Sequence, residues 1–121
     1  MLNPLVVEGQ IHGGVSMGIG NAYYEKLHYD ENGQLLNASL ADYLIPGSTE
    51  MPHIEVYHMN TPAPNNELGT KGVGEAGAIP VPAVFAQALE NALPDYDLEI
   101  LETPLSPNRL FELLHKLEEK S

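Results

Sequence analysis

Val6–Tyr29, VVEGQIHGGVSMGIGNAYYEKLHY, sets the terms for the rest of the chain. Val7, Ile11, Val15, Met17, Ile19 and Ala22 fall on one broad face at the helical period, so the spacing predicts a helix. Against that stand Gly9, Gly13, Gly14, Gly18 and Gly20, each costing up to about 1 kcal/mol relative to alanine in a helix interior. Two arrangements would justify them. The spacing from Gly14 to Gly18 can let another backbone come close, or an interrupted helix can turn its amides toward a ligand. The first is the commoner use of such residues.

After this helix, Leu27 to Leu40 reads as a hairpin turning at Asp30-Glu31-Asn32-Gly33. His53 to Met59 alternates as a strand, with Ile54, Val56 and His58 on one side and His53, Glu55 and Tyr57 on the other. Because that register puts His53 and His58 on opposite faces, they are not expected to share a metal. Pro80 or Pro82 opens a helix carrying Val81, Val84, Phe85, Ala88, Leu89 and Ala92. Leu98 and Ile100 mark a short strand. Ser106-Pro107 starts a last helix whose stripe of Leu110, Leu113, Leu114 and Leu117 reads as core. This order predicts one α+β domain over residues 1–121, with a small antiparallel or mixed sheet and about three helices.

Composition narrows the function. The 121 residues hold 17 Asp+Glu against 5 Lys+Arg, a formal net charge of -12, and no Cys. Without cysteine there is no disulfide, thiolate metal site, iron-sulfur ligation by this chain or thiol nucleophile. No basic stripe is available to a phosphate backbone, so neither nucleic acid nor an anionic membrane is an expected partner. No apolar run approaches the roughly 18 residues of a membrane span, and the amino terminus has no basic leader. The expectation is a soluble cytoplasmic protein.

Thr61–Gly77, TPAPNNELGTKGVGEAG, is a long polar loop, and connections of more than about 12 to 15 residues are usually functional or disordered. Gly72–Gly77 matches GxGxxG, but no hydrophobic strand precedes it, and Pro80 and Pro82 interrupt the segment after it. A dinucleotide fingerprint needs both contexts. There remains one acid, Glu75, between glycines that let other atoms approach, a placement suited to a general base. On spacing alone a solvated turn is the commoner meaning.

Several ordered motifs give the loop a context: Asn3-Pro4, Gly9-Gln10-Ile11-His12-Gly13-Gly14, Gly18-Ile19-Gly20, Asp42-Tyr43 with Ile45-Pro46, and Lys71-Gly72-Val73-Gly74-Glu75. In this order and at these spacings they resemble the carboxyl-terminal part of the molybdenum-binding large subunit of the xanthine oxidase, aldehyde oxidase and carbon monoxide dehydrogenase family. The resemblance runs from Asn3 to the last helix. It implies part of a molybdopterin-binding domain, either a fragment or a split subunit, and the Met1 start fits both.

By that resemblance the chain is part of a molybdenum hydroxylase or dehydrogenase that oxidises an aldehyde, an N-heterocycle or carbon monoxide with oxygen from water. Glu75 is implied as the catalytic base. Gln10, Gly13, Gly14, Gly72 and Gly74 are implied as contacts of the molybdopterin cofactor, whose own sulfurs hold the metal, so no metal ligand is expected from this chain. The implied partners are the remainder of the large subunit, iron-sulfur and FAD subunits, and a small-molecule substrate. An isolated chain is expected to be inactive and able to form a homodimer through its orphan surface. The competing expectation is a noncatalytic structural or binding module left by a split or truncated large subunit.

Overall fold

A computed structural model describes residues 1–118. Helix α1 spans Pro4–Ile19, α2 Val81–Ala92 and α3 Pro107–Glu118. Helix α1 starts where the chemistry of Asn3-Pro4 dictates: the Asn3 Oδ1 accepts from the Val6 amide at 3.2 Å, and the proline occupies the first turn, where its missing N–H costs nothing. The predicted helix to Tyr29 stops earlier. Gly20–Tyr24 widens into a π-helical turn closed by the Glu25 N–H on the Gly20 carbonyl at 2.8 Å, and the chain then leaves in an extended conformation. Met17, placed on the apolar face by the sequence, is exposed, because it lies well round the helix from Ile11 and Val15.

Among the described residues no strand is formed, and the expected small sheet is corrected accordingly. The hairpin is a ribbon with a single antiparallel bridge, Tyr29 to Leu35. Its turn is where the sequence put it, with Gly33 at φ 79° and the Asp30 Oδ1 accepting from the Asn32 and Gln34 amides. Those bonds, led by that from Gln34, hold the Asp30 carboxyl below its ordinary range. Buried Asn37 then ends the ladder, bonding the Lys26 carbonyl at 2.6 Å and the His28 amide at 2.9 Å with its side chain. Further on, Ile54 and Val56 are half-buried between exposed neighbours, as alternation requires, but among the described residues 51–60 make no backbone-to-backbone hydrogen bond. The Ile100 amide likewise donates to the Glu90 Oε1 rather than to a strand. Alternation describes a face; a sheet also needs a neighbour to take the hydrogen bonds.

Helix α3 has the expected cap, with the Ser106 Oγ accepting from the Arg109 amide at 3.3 Å. Its Leu110, Leu113 and Leu114 are half-buried, while the side chain of Leu117 lies outside the described residues. Just before it, fully buried Leu105 donates its amide to the Ala22 carbonyl at 2.7 Å, tying this end of the chain to the π-helical turn.

The helices meet through glycine. A Cβ on Gly14 would stand 3.1 Å from the Ala78 nitrogen and the Gly77 Cα, and one on Gly18 would stand 2.6 Å from the Val81 Cβ. From the other side, a Cβ on Gly77 would be 2.5 Å from the Ile11 carbonyl oxygen. The close approach allowed by the Gly14 to Gly18 spacing is therefore realised. The packed centre is otherwise small: the accessible surface is 9273 Å², against about 6,400 Å² for a compact monomer of this mass.

Gly77→Ala should destabilise the chain by about 1 to 3 kcal/mol, the cost of overpacking against backbone that cannot move aside. Gly9→Ala, where nothing lies within 4 Å, should stabilise it by up to about 1 kcal/mol. Urea unfolding of the two variants checks this, and shifts of the same sign would remove the special role of the close contact.

Candidate functional site

The site candidates converge on one seam between α1 and the loop before α2. Gln10, halfway along α1, donates from its Nε2 to the Gly74 carbonyl at 2.9 Å. One helical turn later Gly14 receives Gly77 and Ala78. Glu75 thus sits between two attachments to a single helix face. Its own carbonyl accepts from the Ala78 amide at 3.0 Å and the Ile79 amide at 3.2 Å, forming the tight turn that leads into α2. The backbone at Glu75 is held on both sides, while its side chain is exposed and, among the described residues, has no hydrogen-bond or ion-pair partner.

The upstream part of the loop is ordered by its own polar atoms. Asn66 bonds Thr70 in both directions, with its Oδ1 accepting from the Thr70 amide at 2.9 Å and its Nδ2 donating to the Thr70 carbonyl at 3.0 Å. Gly69 takes φ 62°, a conformation costly for any side chain, and its carbonyl accepts from the Ala63 amide. Sequence reasoning missed this clasp, whose only signal is the Asn-rich, Gly-containing composition of the segment.

The cofactor candidates divide into two groups. Gly13, Gly72 and Gly74 have nothing within 4 Å of where a Cβ would be, so backbone there is open to a ligand. Gly14 instead is buried against the loop. Gly13 and Gly14 both lie inside a continuous helix, where amides bond carbonyls four residues back, so the interrupted-helix arrangement is not what forms. A cavity of about 480 Å³ borders Lys71, Gly72 and Val73, walled across from them by Asn3, Val6 and Val7 of the α1 start. Near it His58 Nε2 lies 3.6 Å from the Glu8 Oε1. Among the described residues no three His, Cys, Asp or Glu come together as a metal-holding group.

On the other side of the seam runs an apolar groove of about 670 Å³, lined by Ile11, Val15 and Ile19 of α1 and Val84, Phe85 and Ala88 of α2. Glu50 stands at its edge, its carboxyl held below the ordinary range by hydrogen bonds from the Thr49 hydroxyl and the Gly47 amide. Glu75 lines neither cavity. Sequence reasoning named Glu75 and Gln10 separately; the bond from Gln10 to the Gly74 carbonyl, next to Glu75, spans 64 residues and left no local signal. No helix among the described residues is long and apolar enough to cross a membrane.

Comparison with known proteins gives the chain its family. Residues 1–52 match the family described as a molybdopterin cofactor-binding domain. The chain is 39% identical over 110 residues to the nicotine 6-hydroxylase large subunit of Paenarthrobacter nicotinovorans, covering 91% of this chain and 14% of that protein. It is 36% identical over 116 residues to the carbon monoxide dehydrogenase large chain of Hydrogenophaga pseudoflava, covering 93% of this chain and 14% of that one. The crystal structure of quinoline 2-oxidoreductase from Pseudomonas putida 86 superposes with a TM-score of 0.90 at 40% identity, over 96% of this chain and 15% of its own. Continuous likeness in sequence and fold over nearly the whole chain leaves one conclusion: the chain belongs to the molybdenum-binding large subunits of the xanthine oxidase, aldehyde oxidase and carbon monoxide dehydrogenase family, and spans about a seventh of the length of the relatives it matches.

Proposed function

We propose that this chain is the carboxyl-terminal segment of a molybdopterin-binding domain, and that it supplies the catalytic base and one wall of the cofactor pocket to a cytoplasmic molybdenum hydroxylase. The observation that carries this is the state of Glu75: backbone held from both sides, carboxylate exposed and, among the described residues, unengaged. A general base needs that combination, since its position must be set in advance while its oxygens stay available for the proton.

The residues present suit the cofactor. Gly13, Gly72 and Gly74 leave room for close approach to the main chain, and Gln10 has polar atoms beyond the one engaged by Gly74. Gly14 serves the same wall indirectly, by bringing the loop in. Bound there, the molybdopterin cofactor would supply the two-electron oxidation of a substrate carbon, with electrons leaving through iron-sulfur and FAD subunits. Glu75 would take, on a carboxylate oxygen, the proton of the water-derived nucleophile, with an aldehyde, an N-heterocycle or carbon monoxide as substrate.

One wall does not enclose a ligand, because cofactor sites bury most of the ligand surface. The remainder of the large subunit supplies the other walls. The surface in excess of a compact monomer, on the order of 3,000 Å², is larger than the roughly 800 Å² each partner gives to a standard interface. The apolar groove between α1 and α2 is part of what that remainder covers.

Glu75→Gln in the assembled enzyme should lower turnover by about 10² to 10⁴ with fold and molybdenum content unchanged. Steady-state assay normalised to molybdenum checks it, and parental turnover would make Glu75 an ordinary loop acid.

The chain expressed alone should hold no stoichiometric molybdenum, show no hydroxylase activity and self-associate. Co-expression with the remainder of the large subunit should restore metal and abolish the self-association. Elemental analysis and size-exclusion chromatography read both, and a metal-loaded, active lone chain would overturn the proposal.

A further inference from the structure

We infer that Gln10 is a positioning residue for the Glu75 carboxylate, a role that deepens the reading of Glu75 as the base and rests on it. Two peptide planes flank the Glu75 Cα, and their orientations set the direction in which its side chain departs. The downstream plane is held locally, through the Ala78 and Ile79 amides on the Glu75 carbonyl. The upstream plane contains the Gly74 carbonyl and the Glu75 nitrogen and Cα together. Its oxygen receives the Gln10 Nε2 at 2.9 Å.

No other hydrogen bond among the described residues acts on that plane; the Ala76 amide, donating to the Val73 carbonyl at 3.3 Å, closes the turn around it. Gly72 and Gly74 have open space around them and the wide conformational freedom of glycine, so the peptide between residues 74 and 75 can turn over once released. The second attachment, Gly77 against Ile11 and Val15, is a packing contact that sets distance and not direction. Gln10 adds the direction. It does so from the middle of a helix, from a residue whose neighbour one turn on, Gly14, makes the packing contact, so both constraints are referred to one rigid element.

The test uses the assembled enzyme and two readouts on Gln10→Met, with Gln10→Glu, similar in length and lacking the amide donor, as a second variant should the first misfold. Hydrogen–deuterium exchange of the Ala76, Ala78 and Ile79 amides is expected to quicken about fivefold. Turnover is then measured per bound molybdenum, for the parent, Gln10→Met, Glu75→Gln and the double variant. The substrate is whichever of nicotine, quinoline, xanthine, benzaldehyde and carbon monoxide the parent oxidises fastest. Gln10→Met should lower kcat about tenfold, the scale of a slightly misplaced catalytic group, with KM within about twofold. It should add no further loss to Glu75→Gln. Unchanged exchange in both Gln10 variants overturns the inference whatever Glu75 does, as does an equal loss of kcat in the two backgrounds. Faster exchange together with parental turnover of Glu75→Gln overturns the base reading instead.

Discussion

Everything in this structure leans on main chain touching main chain. Gly77 comes so close to the Ile11 carbonyl that a single methyl group would not fit, and it can do so because Gly14 offers no side chain in return. Dispersion acts over that contact, and about a quarter to a half of it is lost if the backbones separate by roughly 0.5 to 1 Å. The glycines in α1 cost helix stability in isolation. They regain it by letting a distant loop, rather than a side chain, become the neighbouring layer. The orientation of α2 is set by the same contact, since the loop turns directly from it into the helix at Val81.

Backbone packing of this kind also explains a packed centre so small for the chain length. Ala22 and Leu105 are fully buried, whereas Leu5, Leu40, Tyr57, Met59 and Leu101 are each more than three-quarters exposed. Apolar residues scattered singly over a surface mean little, but here the same chain also carries an apolar groove lined by other residues and a surface well above that of a compact monomer. An antiparallel or mixed sheet was expected, and the segments meant for it are extended with the right residues half-buried. Beyond the single Tyr29 to Leu35 bridge, hydrogen bonds of these segments go to side chains such as Asn37 and Glu90, and among the described residues 51–60 make no backbone-to-backbone bond.

Much of this was legible in the sequence, and the division between what was and was not is physical. Helix positions, the Asp30 to Gly33 turn, the Ser106 cap and the close approach at Gly14 and Gly18 come from period, local polar bonding and residue size, which are written in neighbouring letters. The missing sheet was not legible, because strand alternation carries no information about whether a partner exists. Nor was the π-helical turn at Gly20, which depends on Glu25 folding back over it. For the site, Glu75 stood out as a lone acid among glycines and Gln10 through family resemblance. That Gln10 bonds the Gly74 carbonyl beside Glu75 could not be read, since a bond over 64 residues depends on the tertiary path of the chain.

A seat built from main-chain atoms is blind to the identity of most side chains around it. Gly14 and Gly77 admit no replacement without cost, yet Ile79, on the same turn and lining neither cavity, is exposed and closes the turn with its amide. Its side chain can change in size and polarity while the Glu75 backbone stays where it is. Placement and surroundings are thereby assigned to different positions in the chain, so that the neighbourhood of the acid can diversify among descendants without renegotiating where the acid stands.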